Sequence, residues 1–267
     1  DIQSRLKTKW VAHPLQFFDS IDSTNIRAKL EAEQGAESGL LVVSDMQSAG
    51  RGRRGRGWES PAGTNIYYTL MLKPDFSSDC APMLTLVMAL AVAKGIRQTL
   101  RRDSEEAAAK VGIKWPNDIV VDGKKVCGIL TEMSMEQGYI QHIVIGVGIN
   151  VRKQEFPEEI RDRAAAIDEQ CGFRISRSQL IADIMEAFEE DYEIFLRTHD
   201  LKGLRASYAE LLVNQDREVC VLDPKGEYRG IARGINDQGE LLVERQDGTV
   251  EEVYAGEVSV RGIYGYV

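Results

Sequence analysis

Nine residues carry the densest chemistry in the chain. Gly50 to Trp58 reads GRGRRGRGW, with four arginines (Arg51, Arg53, Arg54, Arg56) interleaved with four glycines. Arginine offers a planar fork of donors suited to phosphate and carboxylate. Glycine lets the backbone approach a ligand closely and take positive φ. Through Gly50, Gly52 and Gly55 the segment formally matches G-x-G-x-x-G, but it runs into Trp58-Glu59-Ser60-Pro61 rather than a helix, so a dinucleotide fingerprint fails on context. No Gly-Lys-Ser/Thr follows, so a P-loop fails too. The expectation is a cationic lid, held open by its own repulsion until an anion orders it. A solvated basic loop is the plain alternative.

Three further constellations stand out. Lys114-Trp115-Pro116-Asn117-Asp118 sits at a strand end, where Asp118 could ligate Mg²⁺ carried by a nucleotide and Asn117 could read polar groups. Lys125, just past the Asp122-Gly123 turn, leads into Gly128-Ile129-Leu130 and could point at a bound anion. Gly146-Val147-Gly148-Ile149-Asn150 places glycines inside a strand, which suggests close approach of a ligand to the backbone; tight packing against a helix is the alternative.

The elements that must position these residues follow from pattern. Ser23-Thr24-Asn25 reads as a capped helix entrance, with a helix running toward Gly35. Leu40 to Val43 and Asn65 to Leu72 read as strands, and Pro82 to about Leu100 as an interior helix. Val111 to Trp115 is a strand stopped by Pro116. Asp-Gly at 122–123 predicts a hairpin, and Gln137-Gly138 a second turn into Tyr139 to Val151. Pro157 fits a first helical position, and Ser176-x-x-Gln179 a capping box before an apolar stripe through Phe195. From Arg217, short strands separated by Pro224-Lys225-Gly226, Asp237-Gln238-Gly239 and Asp247-Gly248 suggest a small barrel. The expected domains are 1–213 and 214–267.

Taken in order, Asp22 to Asn25, Gln47 to Trp58, Lys114 to Asp118, Lys124 to Leu130 and Gly146 to Asn150 resemble the biotin protein ligases (biotin–[acetyl-CoA-carboxylase] ligases) over roughly residues 15–267. The resemblance implies an α+β fold: a mixed sheet flanked by helices, related to class II aminoacyl-tRNA synthetases, plus a C-terminal SH3-like barrel. It implies activation of biotin by MgATP as biotinyl-5′-AMP, then transfer to one lysine of a biotin carboxyl carrier protein. It also implies site roles. Ser23, Thr24, Asn25 and Gln47 contact the ureido head of biotin. Arg51, Gly52 and Arg53 close over its tail and the phosphate, and Lys125 bonds the carboxylate or acyl-phosphate oxygen, with Gly128 and Ile129 beside it. Trp58 and Asn150 serve the adenine side, with Arg56 near the phosphates. Lys114 and Asn117 approach the ATP phosphates, and Asp118 the Mg²⁺. Cys127 stands where Gly or Ala is usual and is expected to narrow the pocket. A lipoate or octanoate ligase shares the fold, but the lid as written favours biotin.

Some members of that family also repress transcription through an N-terminal helix-turn-helix. Gln3 to Trp10 resembles the linker that follows it, so DNA is a partner only with an upstream domain. Homodimers are expected from the family, with His142 to Val151 as a pairing edge.

Composition narrows the remaining classes. The 267 residues are 43% hydrophobic and 28% charged, which excludes disorder. A net charge of -9 is wrong for a dedicated nucleic-acid binder. The four cysteines and three histidines are scattered, which fits free thiols in a reducing cytoplasm better than disulfides or a metal site. The apolar run Leu84 to Ala93 falls short of the ~20 residues that span a bilayer.

Overall fold

The computed structural model describes residues 1–223, 226–254, 259–262 and 266–267. The Arg54 side chain and the expected turn residues Pro224 and Lys225 lie outside that description.

A seven-stranded mixed sheet organises the larger part of the chain. Its strands are β1 (Leu15–Phe18), β2 (Leu41–Ser44), β3 (Ile66–Leu72), β4 (Val111–Lys114), β5 (Asp118–Val121), β6 (Lys124–Glu136) and β7 (Tyr139–Ile149). Their order across the sheet is β1-β2-β3-β7-β6-β5-β4. Only β1 and β2 run parallel; every other neighbour is antiparallel. The hairpins β5–β6 and β6–β7 turn at Asp122-Gly123 and Gln137-Gly138, where all four residues take positive φ. That matches the right-handed twist of the flanking strands.

Both faces are covered, so alternate residues meet different partners. Ile66, Tyr68, Leu70 and Leu72 of β3, with Ile143, Ile145, Val147 and Ile149 of β7, join the main core formed with α2 (Met83–Arg101) and α5 (Arg177–Phe195). Met71 and Val144 face the opposite side, where α1 (Thr24–Glu33) lays down Ala28 and Ala32. Helix α2 is long and apolar enough to cross a membrane by length and composition, further than the run Leu84 to Ala93 suggested. It is buried along most of its length against the sheet and α5.

The last five strands, β8 (Glu218–Asp223), β9 (Gly226–Ile235), β10 (Leu241–Glu244), β11 (Val250–Val253) and β12 (Ser259–Gly262), form an antiparallel sheet in the order β11-β10-β9-β8-β12. Three short α-helices, α3 (Glu105–Ala109), α4 (Ile167–Cys171) and α6 (Arg205–Leu211), and two single-turn 3₁₀ helices, Arg53–Gly55 and Ser78–Cys80, complete the described elements. Trp115 docks the two sheets together: its indole Nε1 donates to the Gly239 carbonyl at 2.9 Å.

Four expectations need correction. Pro157 begins no helix; residues 158–163, which follow it, are turns. His142 to Val151 is no free edge, because β7 lies between β3 and β6; long-range strand order is not encoded in its local pattern. Ser23 is the residue before α1, but its side chain makes no capping bond. Ser176 does cap Gln179 N–H, whereas the Gln179 side chain turns to Asp183 and Arg5 instead of closing the box.

Candidate active site

One cleft of about 330 Å³ gathers every sequence-predicted site residue: Ser23, Thr24, Asn25, Gln47, Arg51, Gly52, Arg53, Arg56, Trp58, Lys114, Asn117, Asp118, Lys125, Gly128, Ile129 and Asn150. It lies on the α1 face of the central strands. Register explains the floor. Gly128 of β6 is paired with Gly148 of β7, and Gly146 lies between Thr69 of β3 and Leu130 of β6.

These glycines admit neighbouring side chains. A Cβ on Gly148 would stand 2.5 Å from the Trp58 indole nitrogen, and one on Gly128 would stand 3.0 Å from the same ring. A Cβ on Gly146 would stand 2.0 Å from Asn25 Oδ1. The close approach expected of a ligand is thus made by Trp58 and Asn25. Cys127 faces the other way, fully buried in the main core, so it does not narrow the cleft.

The lid is folded over the cleft. Gly52 N–H donates to the Arg56 carbonyl at 2.7 Å, and Trp58 N–H to Gly50 at 3.0 Å. Gly50 is required there, since a Cβ would meet the Trp58 carbonyl at 2.3 Å. Arg53 Nη1 donates to Asn117 Oδ1 at 2.7 Å, joining the lid to the strand-end motif.

Asp118 is the anionic centre of a cationic site. Lys125 Nζ lies 2.6 Å from its Oδ1, and the Tyr266 hydroxyl donates to its Oδ2. Burial would raise its pKa, but Lys125 and Lys114 hold it below the ordinary aspartate value. Lys114 is nearly buried, with Nζ 4.2 Å from the Tyr266 ring centre. Desolvation brings it down to about 8, against the support of Asp118. Lys125 also lies 5.6 Å from the Trp58 ring.

Both carboxylate oxygens of Asp118 thus have a protein partner. Among the described residues no three His, Cys, Asp or Glu side chains gather as a metal site. Asp118 is the carboxylate lining the cleft, and it would be the group to meet a Mg²⁺ carried in on a nucleotide.

Several lining residues carry no sequence signal that we read. Arg163 comes from the segment after β7, and Leu222, Val260, Arg261 and Tyr266 come from the C-terminal sheet and its following residues. Cations from the lid, β4, β6, the segment after β7 and the C-terminal sheet thus line one cleft with Asp118. Such a site is built to receive a polyanion.

Fold and cleft together define an α+β protein with a cationic cleft beneath a glycine-arginine lid. Residues 17–150 match the biotin/lipoate A/B protein ligase family, and residues 216–261 match the biotin protein ligase C-terminal domain. The chain belongs to the biotin/lipoate A/B protein ligase family, and it is a ligase. It is 37% identical over 264 residues to a bifunctional ligase/repressor of Bacillus spizizenii, covering 97% of this chain and 78% of that protein. It is 30% identical over 242 residues to a biotin–[acetyl-CoA-carboxylase] ligase of Paracoccus denitrificans, covering 88% of this chain and 98% of the relative. A biotin protein ligase from Aquifex aeolicus, solved in complex with biotin and ATP, superposes with a TM-score of 0.77 at 28% identity, covering 93% of this chain and 98% of that one. The mixed sheet with flanking helices and the small SH3-like C-terminal sheet agree with the fold read from the sequence.

Proposed function

We propose that the chain activates biotin with ATP as biotinyl-5′-AMP and then transfers the biotinyl group to a lysine of a biotin carboxyl carrier protein. The observation that carries this reading is the convergence of lid, Lys125 and the Lys114–Asp118 motif on one cleft. Similarity to proteins named as biotin ligases, and to one solved with biotin and ATP, supports the choice of substrates.

In the first step a carboxylate oxygen of biotin attacks the α-phosphorus. The bond from that phosphorus to the bridging β-phosphate oxygen breaks, and pyrophosphate leaves with the electron pair. Two anions must be crowded together, so the barrier is electrostatic. Arg51, Arg53, Arg56 and Lys125 supply positive charge where it develops. Lys125 exchanges its Asp118 partner for the substrate oxygen. Lys114 and Asn117 stand on the phosphate side. Any Mg²⁺ enters on the nucleotide, held by its phosphates.

The product is a mixed anhydride that water destroys, which gives the lid its purpose. In the second step the carrier amine attacks the acyl carbon, the acyl–oxygen bond breaks, AMP leaves and the amine proton passes to solvent. No covalent enzyme nucleophile is needed. A buried thiol such as Cys127, its pKa pushed up by burial, is suited to none.

The test is exchange of labelled pyrophosphate into ATP with biotin, lipoate or octanoate as the acid. Exchange with biotin alone is expected. Exchange with lipoate or octanoate instead would move the chain to the other branch of its family. No exchange with any acid would remove the adenylation reading.

A further inference from the structure

Tyr266 follows the last described strand and belongs to none of the motifs read from the sequence, yet it reaches the charged end of the cleft. Its hydroxyl donates to Asp118 Oδ2, and its ring centre lies 4.2 Å from Lys114 Nζ. The neighbouring Val267 is seated against two glycines. A Cβ on Gly262 would stand 2.0 Å from the Val267 backbone oxygen, and one on Gly123, in the β5–β6 turn, would stand 3.4 Å from the Val267 side chain. Val267 thus packs against both β12 and that turn, with Tyr266 beside the β4–β5 motif.

The register of β4 and β5 makes that placement informative. Lys114 and Asp118 are direct cross-strand partners. Side chains so placed have Cβ atoms about 5 Å apart, and opposite charges at that spacing attract one another into a pair. Among the described residues no Lys114–Asp118 ion pair forms. Asp118 Oδ1 lies 2.6 Å from Lys125 Nζ, and Oδ2 takes the Tyr266 hydroxyl. The nearly buried Lys114 ammonium meets the tyrosine ring instead. An aromatic face stabilises an ammonium without cancelling its charge. A carboxylate partner would cancel it, and an incoming phosphate would first have to break that pair.

We propose that Tyr266 is a positioning residue for the nucleotide: by engaging Lys114 with its ring and Asp118 with its hydroxyl, it keeps the Lys114 ammonium apart from its cross-strand partner and open to a phosphate. This rests on the ATP reading above. Tyrosine suits the task because one side chain carries both a π face and an O–H donor. Phenylalanine offers nothing to Oδ2, and leucine offers nothing to either group.

Titration calorimetry of MgATP, and separately of biotin, is run on wild type, Tyr266→Leu, Tyr266→Phe, Asp118→Asn and the two double variants. Tyr266→Leu removes ring and hydroxyl, so Lys114 pairs with Asp118. It is expected to raise the ATP Kd about tenfold, the equivalent of one charged contact, and to change the biotin Kd by less than about twofold. Tyr266→Phe keeps the ring and frees only Oδ2. It is expected to raise the ATP Kd about threefold, and it covers the case in which Tyr266→Leu does not fold. In Asp118→Asn the neutral amide does not draw the ammonium away, so each substitution at 266 is expected to cost less than about twofold in that background. A merely structural residue would not show that dependence. A crystal structure of Tyr266→Leu is expected to bring Lys114 Nζ within about 4 Å of an Asp118 oxygen. An ATP Kd unchanged in both variants, or Lys114 still apart from Asp118 in that structure, overturns the inference. So does tighter ATP binding, which would make the tyrosine a plug. An equal loss in the Asp118→Asn background, or an equal loss for biotin, would mean general loosening and overturns it as well. A wild-type chain that binds biotin but no MgATP overturns the ATP reading and this inference with it.

Discussion

Lys114 is a cation placed where its charge is least comfortable. Burial brings its pKa from 10.5 down to about 8, although Asp118 favours the ammonium. Between about pH 8 and 10.5 the unfolded chain binds the extra proton, so folding stability rises with pH across that window and the desolvated ammonium is a cost below it. A nucleotide phosphate reverses the balance by giving the charge a partner. ATP affinity is therefore expected to fall as pH rises through about 8, and Lys114→Arg, charged throughout, should flatten that fall. Calorimetric titration of ATP from pH 7 to 9.5 checks both. Lys114→Met should stabilise the ligand-free protein near pH 7 while weakening ATP binding at least tenfold. Arg53 acts from the other side of the cleft through Asn117. Arg53→Ala should leave the melting temperature within a degree or two but release the adenylate to water. The check is AMP formed per biotin transferred, which should rise about tenfold or more.

At the scale of elements, helices α2 and α5 are joined by a buried carboxylate. Asp183 accepts from Arg102 Nη1 and Nη2, at 2.5 and 2.8 Å, and from Thr99 and Gln179. Burial opposes its charge, but these partners hold its pKa below the ordinary value. Its contribution is present above the unfolded aspartate pKa and is lost as pH falls through the folded one. Asp183→Ala leaves Thr99 and part of Arg102 without an acceptor and should cost about 3 kcal/mol, read from the urea midpoint at pH 7. Much of this level was legible in the sequence, because turns and caps are local. Asp122-Gly123 and Gln137-Gly138 turn where their residue types demand, and Ser176 caps α5. What stayed hidden is non-local. Nothing within His142 to Val151 says that two strands flank it, and Pro157 reads the same before a turn as before a helix. The candidate site was legible where charge and glycine crowd into motifs. Arg163, Arg261 and Tyr266 stayed hidden because they reach the cleft from segments far along the chain from its motifs.

At the scale of the whole molecule, the C-terminal sheet is part of the active site rather than an appendage. Leu222, Val260 and Arg261 line the cleft, and Tyr266 engages both Asp118 and Lys114. The alignment of the two sheets decides where those groups stand, and Trp115 is the fastener beside them. Trp115 is essentially fully buried, its indole nitrogen bonds the Gly239 carbonyl, and it directly precedes the Pro116-Asn117-Asp118 turn. Gly239 has φ of +80°, and a Cβ there would stand 2.9 Å from Leu201 and Leu86, so the carbonyl is presented by a tightly packed turn with little freedom to follow a moving partner. Trp115→Phe removes the donor, leaves that carbonyl unpaired and opens a small cavity, for a stability loss of about 2 kcal/mol. A purely structural fastener would lose stability and nothing else. If instead it sets the register between Lys114–Asp118 and the Arg261–Tyr266 side, then at a temperature where Trp115→Phe is fully folded the KM for ATP should rise several-fold while the Kd for biotin, whose proposed place is across the cleft near α1, stays within about twofold. Equal KM values in the folded variant would show that the C-terminal sheet aligns itself without this bond.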